Sequence, residues 1–256
     1  MMNSRSHSSA ATTIAWFVAG AVATLAAVAP QSAAGPQAPA GQQAAPAPPA
    51  SPRPPAASLS RPDSPSKAPD AAGFIRRWLV LEPVAVPPQL GEPAVQKLVK
   101  DPRFADQLKT TPAAGQRVTV GDQQLAWHAV DTLGYNLNLF HFAYALGKPT
   151  SNVLFWITTT VDAPRDLPGI RLAIGSNAAS VWWLNDEEVI GLYNDRQAVI
   201  DDGVSKRLTL KKGANVIRAA IVNGGGATDF CARFIDEEGR AVKGFTARVA
   251  ADGVVR

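Results

Sequence analysis

Residues 171–222 carry the clearest strand pattern of the chain and read RLAIGSNAASVWWLNDEEVIGLYNDRQAVIDDGVSKRLTLKKGANVIRAAIV. It contains four short apolar runs, which are Arg171–Ile174, Val181–Leu184, Arg207–Leu210 and Asn215–Val222. Turn-forming residues (Gly, Asn, Asp or Ser) bound each run. Short runs of strong β-formers between turn residues are typical of antiparallel strands, so the stretch predicts a β-sheet domain.

The same pattern continues on both sides of this stretch. Further strands are expected at Phe74–Leu81, Arg117–Val120, Gln124–Val130, Leu137–Leu146, Asn152–Val161, Asp229–Ile235 and Val242–Val249. A helical pattern is present in Pro93–Leu108, where Pro102 is expected to divide it into two short helices. These elements predict an all-β fold, a two-sheet antiparallel β-sandwich of the jelly-roll kind with one or two short helices.

Two adjacent tryptophans stand at the end of one predicted strand. Trp182 and Trp183 precede the pair Asn185-Asp186, which suits a tight turn because both residues tolerate positive φ. Successive side chains of a strand point to opposite faces, so at most one of the two rings enters a single core. The other ring is either buried under a neighbouring loop or exposed as a stacking platform.

The amino terminus has the order of a secretory signal peptide. A polar start with Arg5 precedes the apolar run Ile14–Ala29, and small residues follow at Ser32-Ala33-Ala34. Residues 1–34 are therefore predicted to be a signal peptide, and the protein is predicted to be secreted or periplasmic. An uncleaved membrane anchor is the alternative, although the run is shorter than the ~20 residues of a spanning helix.

Residues 35–72 are rich in proline and alanine. They hold 11 of the 21 prolines and no aromatic residue, and Leu59 is their one large aliphatic residue. Such a segment buries too little apolar surface to fold, so it is predicted to be a disordered, semi-rigid linker. A PxxP-type ligand is the alternative. The remaining residues 73–256 are predicted to form one domain.

Charge and cysteine content narrow the classes of function. The net charge of the whole chain is +4, and a balance this small gives no electrostatic footprint for nucleic acid. Cys231 is the one cysteine, so the fold has no internal disulfide and depends on its core. Because Cys231 stands in a strand-like run, it is expected to be a buried small hydrophobe.

Five segments, in their order, carry a family resemblance: FIRRWLVLEP, FAYALGKP, RLAIGSNAASVWWLNDEEV, DDGVSKRLTLKKGANVIRAAIVNG and FCARFIDEEG. This order resembles the galactose-binding-like jelly-roll accessory modules beside bacterial secreted acetylxylan-esterase-type catalytic domains. Those modules have a glycine where Asp186 stands here. The resemblance implies a jelly roll and a carbohydrate-related setting, but it does not imply esterase activity.

Catalytic and metal signatures are weak. The sequence has no G-x-S-x-G motif, and His128 and His141 stand in apolar, strand-like runs where a structural role is expected. No catalytic residue, resident cofactor or zinc site is therefore predicted. Asp201 and Asp202, with Asp195 and Asn194, offer oxygen ligands of the kind that Ca²⁺ binds, and a solvated loop is the alternative.

Two functions follow from these observations. The first is a non-catalytic carbohydrate-binding or accessory module associated with plant-polysaccharide (xylan-type) degradation. Its candidate residues combine an aromatic platform with hydrogen-bonding side chains: Trp183, Asn177, Asn185, Arg196, Asp201, Asp202 and Asn223. The second is a structural or protein-interaction sandwich at the cell envelope. The expected partner is a polysaccharide or a neighbouring protein domain, and a membrane only if the signal segment stays uncleaved.

Overall fold

The computed structural model describes residues 59–88, 90–109, 111–193 and 197–250. The predicted signal peptide and most of the predicted linker lie outside these residues. In the described part the strands are β1 (Leu59–Ser60), β2 (Arg77–Leu81), β3 (Val84–Ala85), β4 (Arg117–Val120), β5 (Gln123–Thr132), β6 (Leu137–Asn138), β7 (Val153–Ala163), β8 (Leu167–Ser176), β9 (Ala179–Leu184), β10 (Glu187–Leu192), β11 (Gly203–Val204), β12 (Leu208–Leu210), β13 (Gly213–Asn223), β14 (Asp229–Ile235) and β15 (Thr246–Arg248). The helices are α1 (Glu92–Lys100) and α2 (Leu139–Ala145).

The strands form two sheets. The large sheet has the order β1-β5-β2-β7-β13-β9-β10, with β3 and β15 beside β7 and β4 beside β5. The small sheet has the order β11-β8-β14-β6, with β12 beside β8. The named strands pair antiparallel throughout. The predicted two-sheet antiparallel β-sandwich with short helices is therefore confirmed.

The space between the sheets holds the main core. Trp182 lies edge-on to Trp78 and to Phe230, with ring centroids 6.2 Å and 5.5 Å apart. Phe155 and Phe234 belong to the same core, and both are fully buried. The inward-facing residues of the two sheets thus interdigitate as sandwich packing requires.

The opposite face of the large sheet carries a second core. Trp183 stacks on Trp156 at 5.7 Å, and Phe104 lies edge-on to Trp156 at 6.2 Å. Helix α1 covers this face with Val95, Leu98 and Val99. Trp183 is therefore buried under a helical layer, one of the two positions that the alternation allowed.

The turn after the two tryptophans has the predicted form. Leu184 pairs with Glu187, which leaves Asn185 and Asp186 as a two-residue loop with φ of 49° and 71°. Positive φ at both central residues defines the type I′ turn that matches the twist of a hairpin. Asn185 Oδ1 also accepts a hydrogen bond of 2.8 Å from Val216 N, so the side chain ties the turn to β13.

Two predicted elements need correction, one expected strand and one expected helix. Residues 139–145, expected to be part of a strand, form α2, because the Asn138 side chain caps its start by accepting a hydrogen bond from His141 N. Leu139, Phe142 and Ala143 then face the core at helical spacing. The expected helix after Pro102 is absent from the described residues, where a series of turns takes its place.

The folded domain begins earlier than predicted. We call Leu59–Lys67 the strap, because it lies along the edge of the large sheet, with Leu59 paired to Thr132. At its other end Lys67 exchanges two backbone hydrogen bonds of 2.8 Å with Ala247. The predicted boundary at Gly73 is therefore wrong, and residues 59–72 belong to the domain. The amino-acid composition of residues 59–72 did not predict this pairing, because the strap is held by backbone hydrogen bonds, which do not require particular side chains.

A buried ion pair also holds the strap. Arg77 Nε and Nη2 bind the two carboxylate oxygens of Asp131 at 2.8 Å and 2.9 Å, and Lys67 Nζ binds Asp131 at 2.9 Å. Burial acts to raise the pKa of Asp131, but the hydrogen bonds and charges of Arg77 and Lys67 outweigh it and hold the pKa below its ordinary value. Through Lys67, the strap is therefore joined by an ion pair to Asp131 and Arg77 of the large sheet.

Truncating Trp183 tests the second core. Trp183→Ala is expected to lower the free energy of unfolding by about 3–5 kcal/mol, because a large buried ring is lost beneath α1. Urea unfolding measures this change. Tyr144→Ala, at a tyrosine with 53% exposure, is the control and is expected to stay within about 0.5 kcal/mol of the parent. A loss of less than about 1 kcal/mol for Trp183→Ala would contradict the assignment to a core.

Removing one charge tests the strap. Asp131→Asn is expected to cost about 3–5 kcal/mol in urea unfolding, because Arg77 is left buried without its partner. Asp101→Asn breaks the exposed ion pair with Lys97 and is expected to cost at most about 1 kcal/mol.

The same pair predicts a pH dependence of stability. Because the pKa of Asp131 is lowered in the folded state, its contribution is complete above the ordinary value of 3.8 and is lost as the pH falls through the lower folded value. The acid limb of a stability–pH curve should therefore be shallower in Asp131→Asn than in the parent. Superimposable acid limbs would argue against the pair.

Candidate functional site

The outer face of the small sheet carries the candidate site. Asp229, Cys231 and Arg233 follow one another along this face of β14, while the alternate residues Phe230 and Phe234 enter the core. Cys231 is buried as expected, and burial raises the pKa of its thiol to about 11. We call the centre of this face, where the small residue Cys231 lies, the floor. The polar side chains of Asp229 and Arg233 stand at its two ends.

Three asparagines converge on Asp229 at one end of the floor. Asn136 Nδ2 donates to Asp229 Oδ1 at 3.2 Å, and Asn177 Oδ1 accepts a bond of 2.7 Å from Asp229 N. Asn138 lies opposite Asp229 in β6 and bonds its carboxylate. We call these four residues the amide cluster. Its amides and carboxylate come from the ends of three adjacent strands.

The carboxyl group of the amide cluster is partly desolvated. Burial raises the pKa of Asp229, although the hydrogen bond from Asn138, the charge of His141 and the hydrogen bond from Asn136 act in the opposite direction. A buried acceptor gains more from a new hydrogen-bond donor than a fully hydrated one does. The cluster is therefore suited to a ligand that offers hydroxyl groups.

An exposed aromatic ring adjoins the amide cluster. Tyr135, next to Asn136 in the chain, is 44% exposed, and its ring lies 5.3 Å from that of Phe74. Arg233, on β14, places its guanidinium carbon 5.1 Å from the centroid of the Phe74 ring. The Tyr135 ring therefore packs against Phe74 while part of its aromatic surface stays open to solvent.

A loop crosses the other end of the floor. Arg233 binds both carboxylate oxygens of Asp201, and the hydrogen bond to Asp201 raises the pKa of Arg233. Beneath the loop lies Gly175, where an added Cβ would stand 2.1 Å from Val199 O. The loop reaches this position because the sheet has no side chain there.

The structure brings together only part of the predicted residue set. Asn177 belongs to the amide cluster, and Asp201 lies on the same face of the sheet. Asp202 follows Asp201 in the loop and is exposed. Arg196, with Asn194 and Asp195 of the calcium hypothesis, lies outside the described residues. Both carboxylate oxygens of Asp201 are bound by the guanidinium of Arg233 in this structure.

Three predicted residues lie elsewhere, on the large sheet. Trp183 is 3% exposed, so the prediction that it is a stacking platform is wrong. The Asn185 amide donates to Asn215 Oδ1 at 3.0 Å within the hairpin region. Asn223 is buried and donates to Thr150 O at 2.8 Å, so it supports a turn instead of facing a ligand.

Several residues of the site escaped the sequence analysis. Tyr135, Asn136 and Asn138 lie within GYNLN, and a polar and aromatic loop between strands was the signal available for them. Asp229 and Arg233 stand in a predicted strand without any mark of function. Their convergence depends on pairing between segments as far apart as Asn136 and Asp229, which no local pattern reveals.

A cleft of about 650 Å³ lies beside the strap and is a weaker candidate for a ligand site. The Arg77 nitrogens that face it are bound by Asp131 and Ser64. Trp127 is 4% exposed, and His128 Nε2 lies 3.2 Å from Glu82 Oε1. The Arg77 nitrogens and His128 Nε2 thus already have partners within the protein, whereas the buried Nε1 of Trp127 has none among the described residues. Within the described ranges, no three acidic, His or Cys side chains are placed to hold a metal ion.

No helix in the described part of the chain has the length and hydropathy needed to cross a membrane.

Comparisons with known proteins find only distant structural similarity. No protein-family model and no curated protein matches the sequence. A β-glucosidase from Kluyveromyces marxianus is 17% identical with a TM-score of 0.38; the match covers 69% of this chain but only 19% of the glucosidase. The A domain of epithelial adhesin 9 from Candida glabrata, solved with Galβ1-3GlcNAc, is 13% identical with a TM-score of 0.38 over 76% of this chain and 98% of that domain.

The similar structures therefore include a glycosidase and a sugar-bound adhesin domain, and neither is an acetylxylan esterase. TM-scores this low do not establish a function for this chain. The relation to acetylxylan-esterase accessory modules remains a prediction from the sequence.

Gly175 offers a test of the site's architecture. Gly175→Ala is expected to displace the loop of residues 197–202, because the new Cβ would overlap Val199 O, and to cost about 1–3 kcal/mol in urea unfolding. Hydrogen exchange should show faster exchange of this loop. Gly224→Ala is the control, since nothing lies within 4 Å of its added Cβ. An unchanged loop in Gly175→Ala would contradict the close approach.

Proposed function

We propose that this chain is a secreted or periplasmic, non-catalytic carbohydrate-binding module that binds through the outer face of the small sheet. The observation that carries the proposal is the exposed ring of Tyr135, packed on Phe74 and next in the chain to Asn136 of the amide cluster. Aromatic faces stack on the apolar faces of sugar rings, and planar amides and carboxylates bind sugar hydroxyls. Both kinds of group stand here on one surface.

The hydrogen-bonding capacity of the amide cluster supports this role. Asn177 uses its oxygen for Asp229 N, which leaves its NH₂ group as a donor without a partner in the described residues. Asn136 uses its NH₂ group for Asp229, which leaves its oxygen as an acceptor. A sugar hydroxyl both donates and accepts, so neighbouring free amide donors and acceptors are a fitting complement.

The plant-polysaccharide (xylan-type) setting is a narrower part of the proposal. It rests on the resemblance of the five sequence segments to accessory modules of acetylxylan-esterase-type enzymes. The geometry of the outer face does not select one sugar. A panel of polymers is therefore the appropriate test.

Affinity electrophoresis of the full chain tests the proposal, in gels with xylan, glucomannan, pectin or no polymer. One polymer is expected to retard the parent. Tyr135→Ala is expected to weaken this retardation about tenfold, which corresponds to a loss of about 1.4 kcal/mol in binding free energy. Asn177→Ala should weaken it as well. Tyr144→Ala, at an exposed tyrosine on α2, is the matched control and should migrate like the parent.

Unretarded migration in every gel, from protein shown to be folded, would contradict carbohydrate binding. A second candidate function would then account for the same face. Leu133 is 66% exposed and Val199 is 53% exposed, and exposed apolar patches mark protein-binding surfaces. That function predicts concentration-dependent association in sedimentation velocity, which Leu133→Ser should reduce.

A further inference from the structure

A small cavity lies in the second core, between the large sheet and the turns that follow α1. Its volume is about 10 Å³, which is about the space that one water-sized species requires. Thr158 of β7 and Arg218 of β13 stand opposite each other at this cavity, and both are buried. Six residues contribute most of its lining, namely Gln107, Pro112, Trp127, Trp156, Thr158 and Arg218.

Two indole N–H groups of this lining have no acceptor. Trp127 and Trp156 are 4% and 1% exposed, and the Nε1 atom of each is buried without a hydrogen-bond partner among the described residues. The main core differs in this respect, because Trp78 Nε1 donates to Ile75 O at 2.9 Å. An unsatisfied buried donor is destabilising, so both groups favour a ligand that accepts hydrogen bonds.

The strand register places the two indoles on either side of β2. Trp127 of β5 pairs with Leu81 of β2. On the other side of β2, Val80 pairs with Ile157, which puts Trp156 of β7 beside the same leucine. Neighbouring strands lie about 4.8 Å apart, so about 10 Å separates the two backbones. Both rings belong to the second core and extend from one face of the sheet, so a single ligand between them can contact both.

The lining also carries a buried positive charge. Arg218 donates through Nη1 to Asp186, an exposed carboxylate, and through Nη2 to Lys109 O. Burial lowers the pKa of Arg218, and the charge and hydrogen bond of Asp186 oppose this effect without cancelling it. Indole N–H groups only donate, and a neutral water gains little from the charge of a guanidinium group. An acceptor with a negative charge therefore complements this lining better than a water does.

We propose that the cavity binds one small monovalent anion, such as chloride, between the indole N–H groups of Trp127 and Trp156 and beside the guanidinium group of Arg218. Hydrogen bonds to an ionised acceptor are the stronger kind. Because separate strands and turns supply the lining, the folded chain binds the ion and the unfolded chain does not. The anion thus stabilises the fold. This site lies on the face of the large sheet that is turned away from the small sheet, and it does not depend on the proposed function.

Urea unfolding of the full chain at constant ionic strength tests the anion site, with sodium gluconate replaced stepwise by sodium chloride. Gluconate is the reference ion because it is too large for a cavity of this volume. A ligand that binds only the folded chain lowers the unfolding equilibrium constant. Chloride is expected to lower this constant about tenfold in the parent at about ten times its dissociation constant.

Two variants remove one N–H group each and keep an aromatic ring, Trp127→Phe and Trp156→Phe. Loss of a hydrogen bond to a charged acceptor raises the dissociation constant about tenfold, so the chloride effect should fall to about twofold in each variant. Trp78→Phe is the matched control, because its N–H group has an acceptor within the protein, and it should keep the tenfold effect. Trp182→Phe, whose N–H group donates to Ser180 Oγ, is a second control. Each comparison is between two salts in one protein, so a general loss of stability does not change it.

An unfolding constant that is the same in chloride and in gluconate would overturn the proposal and favour a neutral water in the cavity. A chloride effect of equal size in the parent, in Trp127→Phe and Trp156→Phe and in the controls would also overturn it, because such an effect would be a general property of the salt. Polysaccharide binding enters neither measurement, so the result is independent of the sugar site.

Discussion

The structure depends on a large sheet that is apolar on both faces. Along β7, β9 and β13 the side chains alternate between two cores, so Trp156 and Trp183 face one way while Phe155 and Trp182 face the other. Burial of a large side chain is worth about 1.5–3 kcal/mol, and an uncovered face would forfeit several such terms. The small sheet covers one face, and α1 with the turns after it covers the other.

This constraint bears on the choice of the outer face of the small sheet as the proposed binding face. The large aromatic rings of the large sheet are buried in its two cores, and Trp183 is among them. The outer face of the small sheet is left, with small residues such as Ala173, Gly175 and Cys231 at its centre. A floor of small residues admits a loop on one side and exposes amides on the other. Under the proposed function, recognition would thus use tyrosine and asparagine side chains in place of tryptophan.

Local patterns predicted what local interactions decide. The turn at Asn185 and the strands expected at Arg117–Val120 and Gln124–Val130 follow from residues adjacent in sequence, and all of them were predicted. Helix α2 was missed because Phe142 and Ala143 fit an alternating strand nearly as well as a helix, and the Asn138 cap decides between them. The strap and the amide cluster were missed for another reason. Their contacts join segments such as Lys67 with Asp131 and Asn136 with Asp229, and sequence spacing carries no sign of such pairs.

The strap also determines how the domain bears mechanical load. Tension transmitted through the preceding chain enters at β1 and first strains its pairing with β5. Peeling then meets the ion pair of Arg77 with Asp131 and the backbone bridge between Lys67 and Ala247. These contacts lie at the edge of the large sheet and bear the force before the core between the sheets does. The strap is therefore the first part of the domain that a pull on the preceding chain would load.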